Sequence, residues 1–354
     1  MKILLTGSNA RQCGTAKINP NKAFDANNLR DALSSFSTVD MRMVDKDIAF
    51  DDYDIVVSGF GSMGSFTYPY VLGALYAIGR AKHPIVYLED WKCTSAISGG
   101  LASIYRAGYD NFLETVYNKQ INGKNPDGTS KKIYFYKIDG LDPETVWTGI
   151  ERMIGKSKTC QYLMLGFNWG DKKIFADLID ADVKNLFWFD ESQYIIKKFN
   201  IQDVPYDPNR MKKFFCAGLS IQDKWLKKMG IKDITDCFGM PPYPRLPNEI
   251  EVNKKHHEYL GLAVPEYKHA GSGWSRLRYI YGAMAKNIFM LGDKDAEALG
   301  IERVRNFDDY SADQLKDIAM HTYETIKKYM PTSIDESNEW LKSHIDDAIS
   351  KFNG

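Results

Sequence analysis

The run Met1-Lys2-Ile3-Leu4-Leu5-Thr6-Gly7 opens the chain. Its apolar stretch is too short for a signal peptide, and it reads as a buried strand passing straight into a glycine turn. Runs of the same character recur at 38–44, 54–58, 84–90, 133–138, 162–167 and 185–189. Several are continuously apolar, the pattern of strands covered on both faces in a parallel sheet. Helical spacing falls between them. At 25–36, Leu29, Ala32, Leu33 and Phe36 form one stripe, with Asp25 placed to cap the free amides. At 70–81 a second helix follows Pro69, a residue suited to a first turn.

The alternation pauses at Val204-Pro205-Tyr206-Asp207-Pro208, a proline pair that predicts a linker. It then restarts, with strands at 214–217, 233–238, 262–266 and 288–291 and helices at 221–229, 249–260 and 274–285. Two helices, 312–329 and 334–352, close the chain, the last with Leu341, Ile345, Ala348, Ile349 and Phe352 on one face. The expected fold class is α/β in two halves.

Composition bounds the function. The 354 residues carry 46 Lys+Arg against 46 Asp+Glu, with 44% hydrophobic and 26% charged residues. That balance excludes a uniformly basic nucleic-acid coat, an acidic solvating tail and a disordered chain. No apolar run approaches the roughly 18 residues that cross a bilayer, so no membrane partner is expected. Cys13, Cys93, Cys160, Cys216 and Cys237 are odd in number and scattered, which argues against a disulfide framework and for a reducing cytoplasm. Charge is uneven along the chain nonetheless. Lys119, Lys124, Lys131, Lys132 and Lys137 are opposed only by Asp127 across 119–137, a stretch that reads either as a solvated loop or as one that touches phosphates.

Three segments have the make-up of ligand sites. Gly59-Phe60-Gly61-Ser62-Met63-Gly64 is a literal G-x-G-x-x-G after the strand at 54–58, with Glu89 and Asp90 closing the next strand. A nicotinamide dinucleotide is one reading of it. Pro69 sets the helix start beyond Gly64, which leaves a pyrophosphate without a helix terminus, and the other reading is a glycine loop lining a cleft. Ile85-Val86-Tyr87-Leu88-Glu89-Asp90-Trp91 places carboxylates at the carboxyl end of a central strand. There Asp90 can take a proton from a hydroxyl as general base, or cap the helix that follows. The most specific segment is His269-Ala270-Gly271-Ser272-Gly273-Trp274-Ser275-Arg276-Leu277-Arg278-Tyr279. Its small residues admit backbone amides to an anion, a helix N-terminus adds its dipole, and Arg276 and Arg278 supply forked donors for diphosphate oxygens. Gly218-Leu219-Ser220, ahead of a helix bearing Lys224, is a second anion-friendly turn in the same half. His256 and His257 are adjacent and cannot share a helical face, so they read as surface histidines and no metal site is assigned. Trp169, Trp188 and Trp225 read as core or interdomain residues rather than base-stacking platforms.

Two α/β halves, a proline-marked linker and a diphosphate-type turn in the second half resemble the two-domain GT-B glycosyltransferases. Within them the chain is similar to the DNA-modifying glycosyltransferases of T-even-like bacteriophages, which attach a sugar to hydroxymethylcytosine in duplex DNA. The resemblance rests on Tyr87-Leu88-Glu89-Asp90, similar to a strand ending in a catalytic base, on Gly271-Ser272-Gly273-Trp274 through Arg278, and on Met284 to Asp293, similar to a donor-site helix and strand. It implies two Rossmann-like domains facing a cleft: 1–203 for the acceptor, 204–335 for the nucleotide-sugar, with the terminal helix 336–354 crossing back to the first. It implies a UDP-sugar co-substrate, no tightly bound cofactor and an optional divalent metal. Asp90 is then the base, and Gly218, Ser220, Lys224, Ser272, Gly273, Trp274, Arg276 and Arg278 surround the donor. Gly59, Gly61, Ser62, Glu89, Trp91, Lys131 and Lys132 fall on the acceptor side, toward hydroxymethylated double-stranded DNA. A monomer in the cytoplasm, of the host if phage-encoded, is the implied form. Where the family has an acidic ribose ligand after the arginine, Tyr281 and Gly282 stand here. The residues leave open a GT-B enzyme for a cell-surface or small-molecule acceptor, an NAD-dependent oxidoreductase built on Gly59 to Gly64, and a non-catalytic DNA-binding protein.

Overall fold

Strand β1 (Lys2–Ser8) lies inside a six-stranded parallel sheet of order β2-β1-β3-β4-β5-β6. Its neighbours are β2 (Thr38–Met41) and β3 (Ile55–Phe60), and beyond β3 come β4 (Pro84–Leu88), β5 (Gln161–Leu165) and β6 (Leu186–Phe189). Every residue of β4, β5 and β6 is buried, as continuous apolar runs require of strands covered on both faces. The computed structural model describes residues 1–8, 26–45, 47–60, 68–88, 100–117, 140–154, 160–165, 185–217, 237–238, 249–263, 276–290 and 299–353. The strand expected at 133–138 and the lysine-rich stretch around it lie outside the described residues.

Helix α1 (Asn27–Ser34) buries Leu29, Ala32 and Leu33, the stripe its spacing predicts. Its N-cap is Ala26, with no side-chain bond, in place of the expected Asp25, which is outside the described residues. Helix α2 (Tyr68–Arg80) carries Pro69 at its start. Short α3 (Ala102–Ala107) and α4 (Tyr109–Phe112) lead toward α5 (Pro143–Met153), which Asp142 caps by accepting from the amide of Thr145 at 2.8 Å. Helices α2 and α5 touch backbone to backbone: a Cβ on Gly149 would fall 1.9 Å from the carbonyl oxygen of Leu75.

A second parallel sheet has the order β10-β9-β7-β8, built from β7 (Met211–Ala217), β8 (Cys237–Phe238), β9 (Tyr259–Ala263) and β10 (Ile288–Met290). Its helices are α6 (Ser192–Phe199), α7 (Glu249–Glu258), α8 (Arg276–Met284) and α9 (Ala312–Lys327). Neighbouring residues of one strand serve opposite faces. Phe214 joins Leu260, Ile288, Val304 and Leu315, whereas Phe215 joins Leu262, Tyr279, Ile280, Phe289 and Ile326, so apolar layers cover the sheet on both sides. Strand β9 starts at Tyr259, three residues before the predicted 262, with no loop after α7. The Asn287 side chain makes that possible by donating to the carbonyls of His256 at 3.0 Å and Tyr259 at 2.7 Å, groups that a helix end otherwise leaves unsatisfied.

The chain falls into one compact unit of Met1–Leu165, Lys172–Phe189 and Asp335–Gly354 and another of Gly166–Asp171 and Asp190–Ile334. The last helix, α10 (Ile334–Asn353), groups from Asp335 onward with the first unit, burying Leu341, Ile345 and Ala348, and Phe352 stacks on His83 at 5.0 Å. The proline pair at 205 and 208 falls within the stretch Asp190–Ile334 of the second unit. Ile195 of α6 is part of that unit's core. The Val204 amide donates to Met284 O at 3.1 Å, and the Arg210 guanidinium donates to the carbonyls of Ala285 and Pro205. Residues 203–210 are thus fastened to the end of α8. Among the described residues no helix is long and apolar enough to cross a membrane.

Candidate active site

In the six-stranded sheet the chain runs from β1 outward to β2 and then returns to β3 on the other side of β1. Ligands of parallel α/β sheets bind beyond the carboxyl ends of the strands where the order reverses in this way. At those ends Gly7 pairs with Gly59 and Ser8 with Phe60. Gly59 therefore stands inside β3, not in a loop after it. A Cβ there would lie 2.2 Å from Cδ1 of Tyr87, so glycine is what lets the Tyr87 ring close over the strand. Strand β4 ends at Leu88, paired with Phe60, and Glu89, Asp90 and Trp91 follow directly in sequence. Those three, with Gly61, Ser62, Lys131 and Lys132, lie outside the described residues. One group the sequence gives no hint of is Thr6, one residue before Gly7, whose buried hydroxyl has no hydrogen-bond partner among the described residues.

The second sheet repeats the construction. From β7 the chain goes to β8 on one side and then to β9 on the other. The reversal falls between β7 and β9, which lie side by side with Cys216 opposite Ala263. Gly218 follows Ala217 directly, and the segment 264–275 follows Ala263. The two segments with anion-binding composition are therefore those that follow, in sequence, the two strands of this reversal point. The second of them runs into α8 at Arg276, and the backbones of Arg276 and Arg278 form its first turn. Gly218, Ser220, Lys224, Ser272, Gly273 and Trp274 lie outside the described residues.

Beyond that first turn α8 is core. Tyr279, Ile280, Tyr281 and Ala283 are buried, and a Cβ on Gly282 would fall 2.4 Å from Cε1 of Phe289. An acidic ribose ligand at 281 or 282 has no room here. Tyr281 instead stacks on His256, ring centroids 5.5 Å apart. His256 is no surface residue: it is fully buried, edge-on to Phe215, with Nδ1 2.9 Å from Oδ1 of Asn287. Because the Asn287 nitrogen donates to two carbonyls, its oxygen faces the ring, and the hydrogen-bond pattern assigns the imidazole proton to Nδ1. Nε2 is buried without a hydrogen-bond partner among the described residues. Burial pushes the His256 pKa down to about 4, opposed by the Asn287 bond and reinforced by the neighbouring His257 and Arg210. A neutral structural histidine results. The available sequence signal was spacing, since Val252, His256 and Tyr259 recur at helical intervals.

Trp188 is in the core, while Trp169 and Trp225 lie outside the described residues. Among the described residues no three His, Cys, Asp or Glu side chains gather as a metal site.

No family model and no curated protein matches the chain. Solved structures do. The DNA-modifying enzyme beta-glucosyltransferase, studied in the presence and absence of its substrate uridine diphosphoglucose, aligns with 99% of this chain and 100% of its own at a TM-score of 0.54 and 11% identity. The chain has the GT-B fold. T4 phage beta-glucosyltransferase aligns at a TM-score of 0.52 and 13% identity over 99% of both chains. The T4 phage enzyme in complex with UDP and Mn2+ gives 0.51 and 14% over the same share of each. At these identities the GT-B likeness is one of fold, and each of the two sheets described above is a half of that architecture.

Proposed function

We propose that the chain is a glycosyltransferase that moves a sugar from a UDP-sugar to the hydroxymethyl group of a pyrimidine, 5-hydroxymethylcytosine, in duplex DNA, with Asp90 as general base. One topological observation carries the reading. The two turns composed for a diphosphate, 218–220 and 271–276, are the connections from the adjacent ends of β7 and β9, where the strand order reverses. At that place the amides of the α8 N-terminus, with Arg276 and Arg278, neutralise the diphosphate as it departs. Asp90, two residues past β4, takes the proton of the acceptor hydroxyl while that hydroxyl's oxygen bonds to the anomeric carbon. The bond from that carbon to the diphosphate breaks, and its electron pair leaves on UDP.

The solved enzymes of this fold support the substrates, since one modifies DNA and takes uridine diphosphoglucose and another holds UDP. Lys131 and Lys132 supply local positive charge that an electrically balanced chain needs to meet phosphates. Ribose recognition falls to residues other than 281 and 282, which are core. The dinucleotide reading loses support because its first glycine, Gly59, sits within β3 beneath Tyr87.

Mass spectrometry of hydroxymethylated duplex DNA after incubation with a panel of UDP-sugars tests the proposal. One sugar should add its mass, and Asp90→Asn should bind UDP as the parent does while turnover falls about 100-fold or more. Unchanged turnover removes Asp90 from the role. UDP binding with no mass gained from any sugar turns the acceptor toward a small molecule or a cell-surface glycan. Thermal stabilisation by NAD and not by UDP would favour the oxidoreductase.

A further inference from the structure

The C-terminal end of α8 is held by an unusual set of groups. Lys286 takes a left-handed backbone conformation, φ 56°, where glycine is the easy residue. Its amide donates to Ala283 O at 2.9 Å and that of Asn287 to Gly282 O at 2.8 Å, the paired bonds of a Schellman close. A lysine persists there with its side chain buried. The ammonium bonds Asp203, lies 3.6 Å from the centroid of the Tyr323 ring, and reaches Met284 O at 3.4 Å. Asp203 in turn accepts from the Tyr323 hydroxyl at 2.6 Å, and Lys327 donates to that hydroxyl at 2.6 Å. Val204 and Arg210 bond the carbonyls of Met284 and Ala285. Both cations, Lys286 and Arg210, thus sit at the negative end of the α8 dipole.

A nine-residue helix is a rod of roughly 14 Å, so what fixes its C-terminal end also fixes where its N-terminal amides point. We propose that the Asp203–Lys286 pair, closed over by Tyr323, is a positioning lock that sets α8 so that its first turn meets the donor diphosphate. This rests on the reading of the α8 N-terminus as the diphosphate site. Lys286 touches no substrate and acts through the helix. The strained backbone is the point of discrimination: a cap that served folding alone would be met more simply by glycine, which needs no ion pair to hold that conformation.

The test uses the full chain and UDP as the probe. Lys286→Gly removes the lock while relieving the left-handed backbone, so its melting temperature should stay within about 3 °C of the parent. Its dissociation constant for UDP by calorimetry should rise about tenfold. Asp203→Asn should weaken UDP similarly, and Lys286→Arg, which keeps the charge, should recover most of the affinity. If the parent binds UDP and Lys286→Gly and Asp203→Asn bind it equally well, the lock is structural only and the inference falls alone. If the parent binds no UDP, the donor-site reading and the lock fall together.

Discussion

Lowering the pH from about 7.5 to about 5 asks His256 to take up a proton for which no acceptor stands ready among the described residues. The ring is fully buried, Nδ1 already bonds Asn287, and Nε2, the atom to be protonated, has no partner among the described residues. Tyr281 lies over one face, Phe215 meets the ring edge-on, and the charged neighbour that acts on it, Arg210, is a cation, with His257 beside it. The folded pKa is about 4 against an ordinary 6.5, chiefly through burial. With the folded value below the unfolded one, the unfolded chain binds the extra proton between these limits. Stability is therefore complete above pH 6.5, drains as the pH falls toward 4, and this contribution levels off below. At 1.36 kcal/mol per pKa unit the whole effect is about 3 kcal/mol, of which about 2 kcal/mol is gone by about pH 5. Urea unfolding at the two pH values, followed by hydrogen exchange of peptides covering 256–263 and 279–290, reads it in the second unit alone. The comparison is His256→Asn, whose amide keeps a donor toward Asn287 but does not titrate. The variant should start less stable and lose about 2 kcal/mol less on acidification. Equal losses in the two proteins would show that the buried imidazole is not the source, and the burial argument would be wrong.

Two substitutions probe the framework of the first unit. Gly149→Ala should lower the melting temperature although alanine is the better helix former by about 1 kcal/mol, because its Cβ lands 1.9 Å from the Leu75 carbonyl and forces α2 and α5 apart at a cost of about 1–3 kcal/mol; a raised melting temperature would refute the close approach. Thr6→Val should leave stability unchanged or raise it by about 1 kcal/mol in urea denaturation, since it replaces a buried hydroxyl without a partner among the described residues with a methyl of the same shape, and a loss of more than about 1 kcal/mol would mean that the hydroxyl has a partner.

The parallel strands of both sheets were legible because burial on two faces leaves continuous apolar runs, and those of β4, β5 and β6 are buried throughout. What escaped depends on contacts far along the chain. The start of β9 is set by Asn287, 28 residues beyond Tyr259. The burial of His256 depends on Tyr281, Phe215 and Asn287, none of them visible as its neighbours in sequence. Gly59 matched a loop motif, yet the residue that demands it is Tyr87 on the next strand. Lys286 ends a helix where the local rule looks for glycine, and the reason lies in Asp203 and Tyr323. The bonds from Val204 and Arg210 to the end of α8 likewise join residues about 75–80 apart in sequence, which the proline pair at 205 and 208 does not reveal.

The candidate site was read in a different way, through the composition of the segments between strands, and topology sets those segments directly after adjacent strand ends. In each sheet the reversal of strand order leaves two adjacent strand ends free of a shared crossover, and small residues occupy the paired positions: Gly7 opposite Gly59 in one, Cys216 opposite Ala263 in the other. Small side chains at a strand end bring a ligand close to the backbone but discriminate little among ligands. Discrimination must then reside in the segments that leave those ends, and there glycine, serine, arginine and a carboxylate are concentrated: 59–64 and 89–91 in the first half, 218–224 and 271–278 in the second. On the proposed function, a chain whose charges cancel overall meets a polyanion and a diphosphate only by such concentration, and the composition of these four short segments then bears more on that function than the balance of 46 against 46 does.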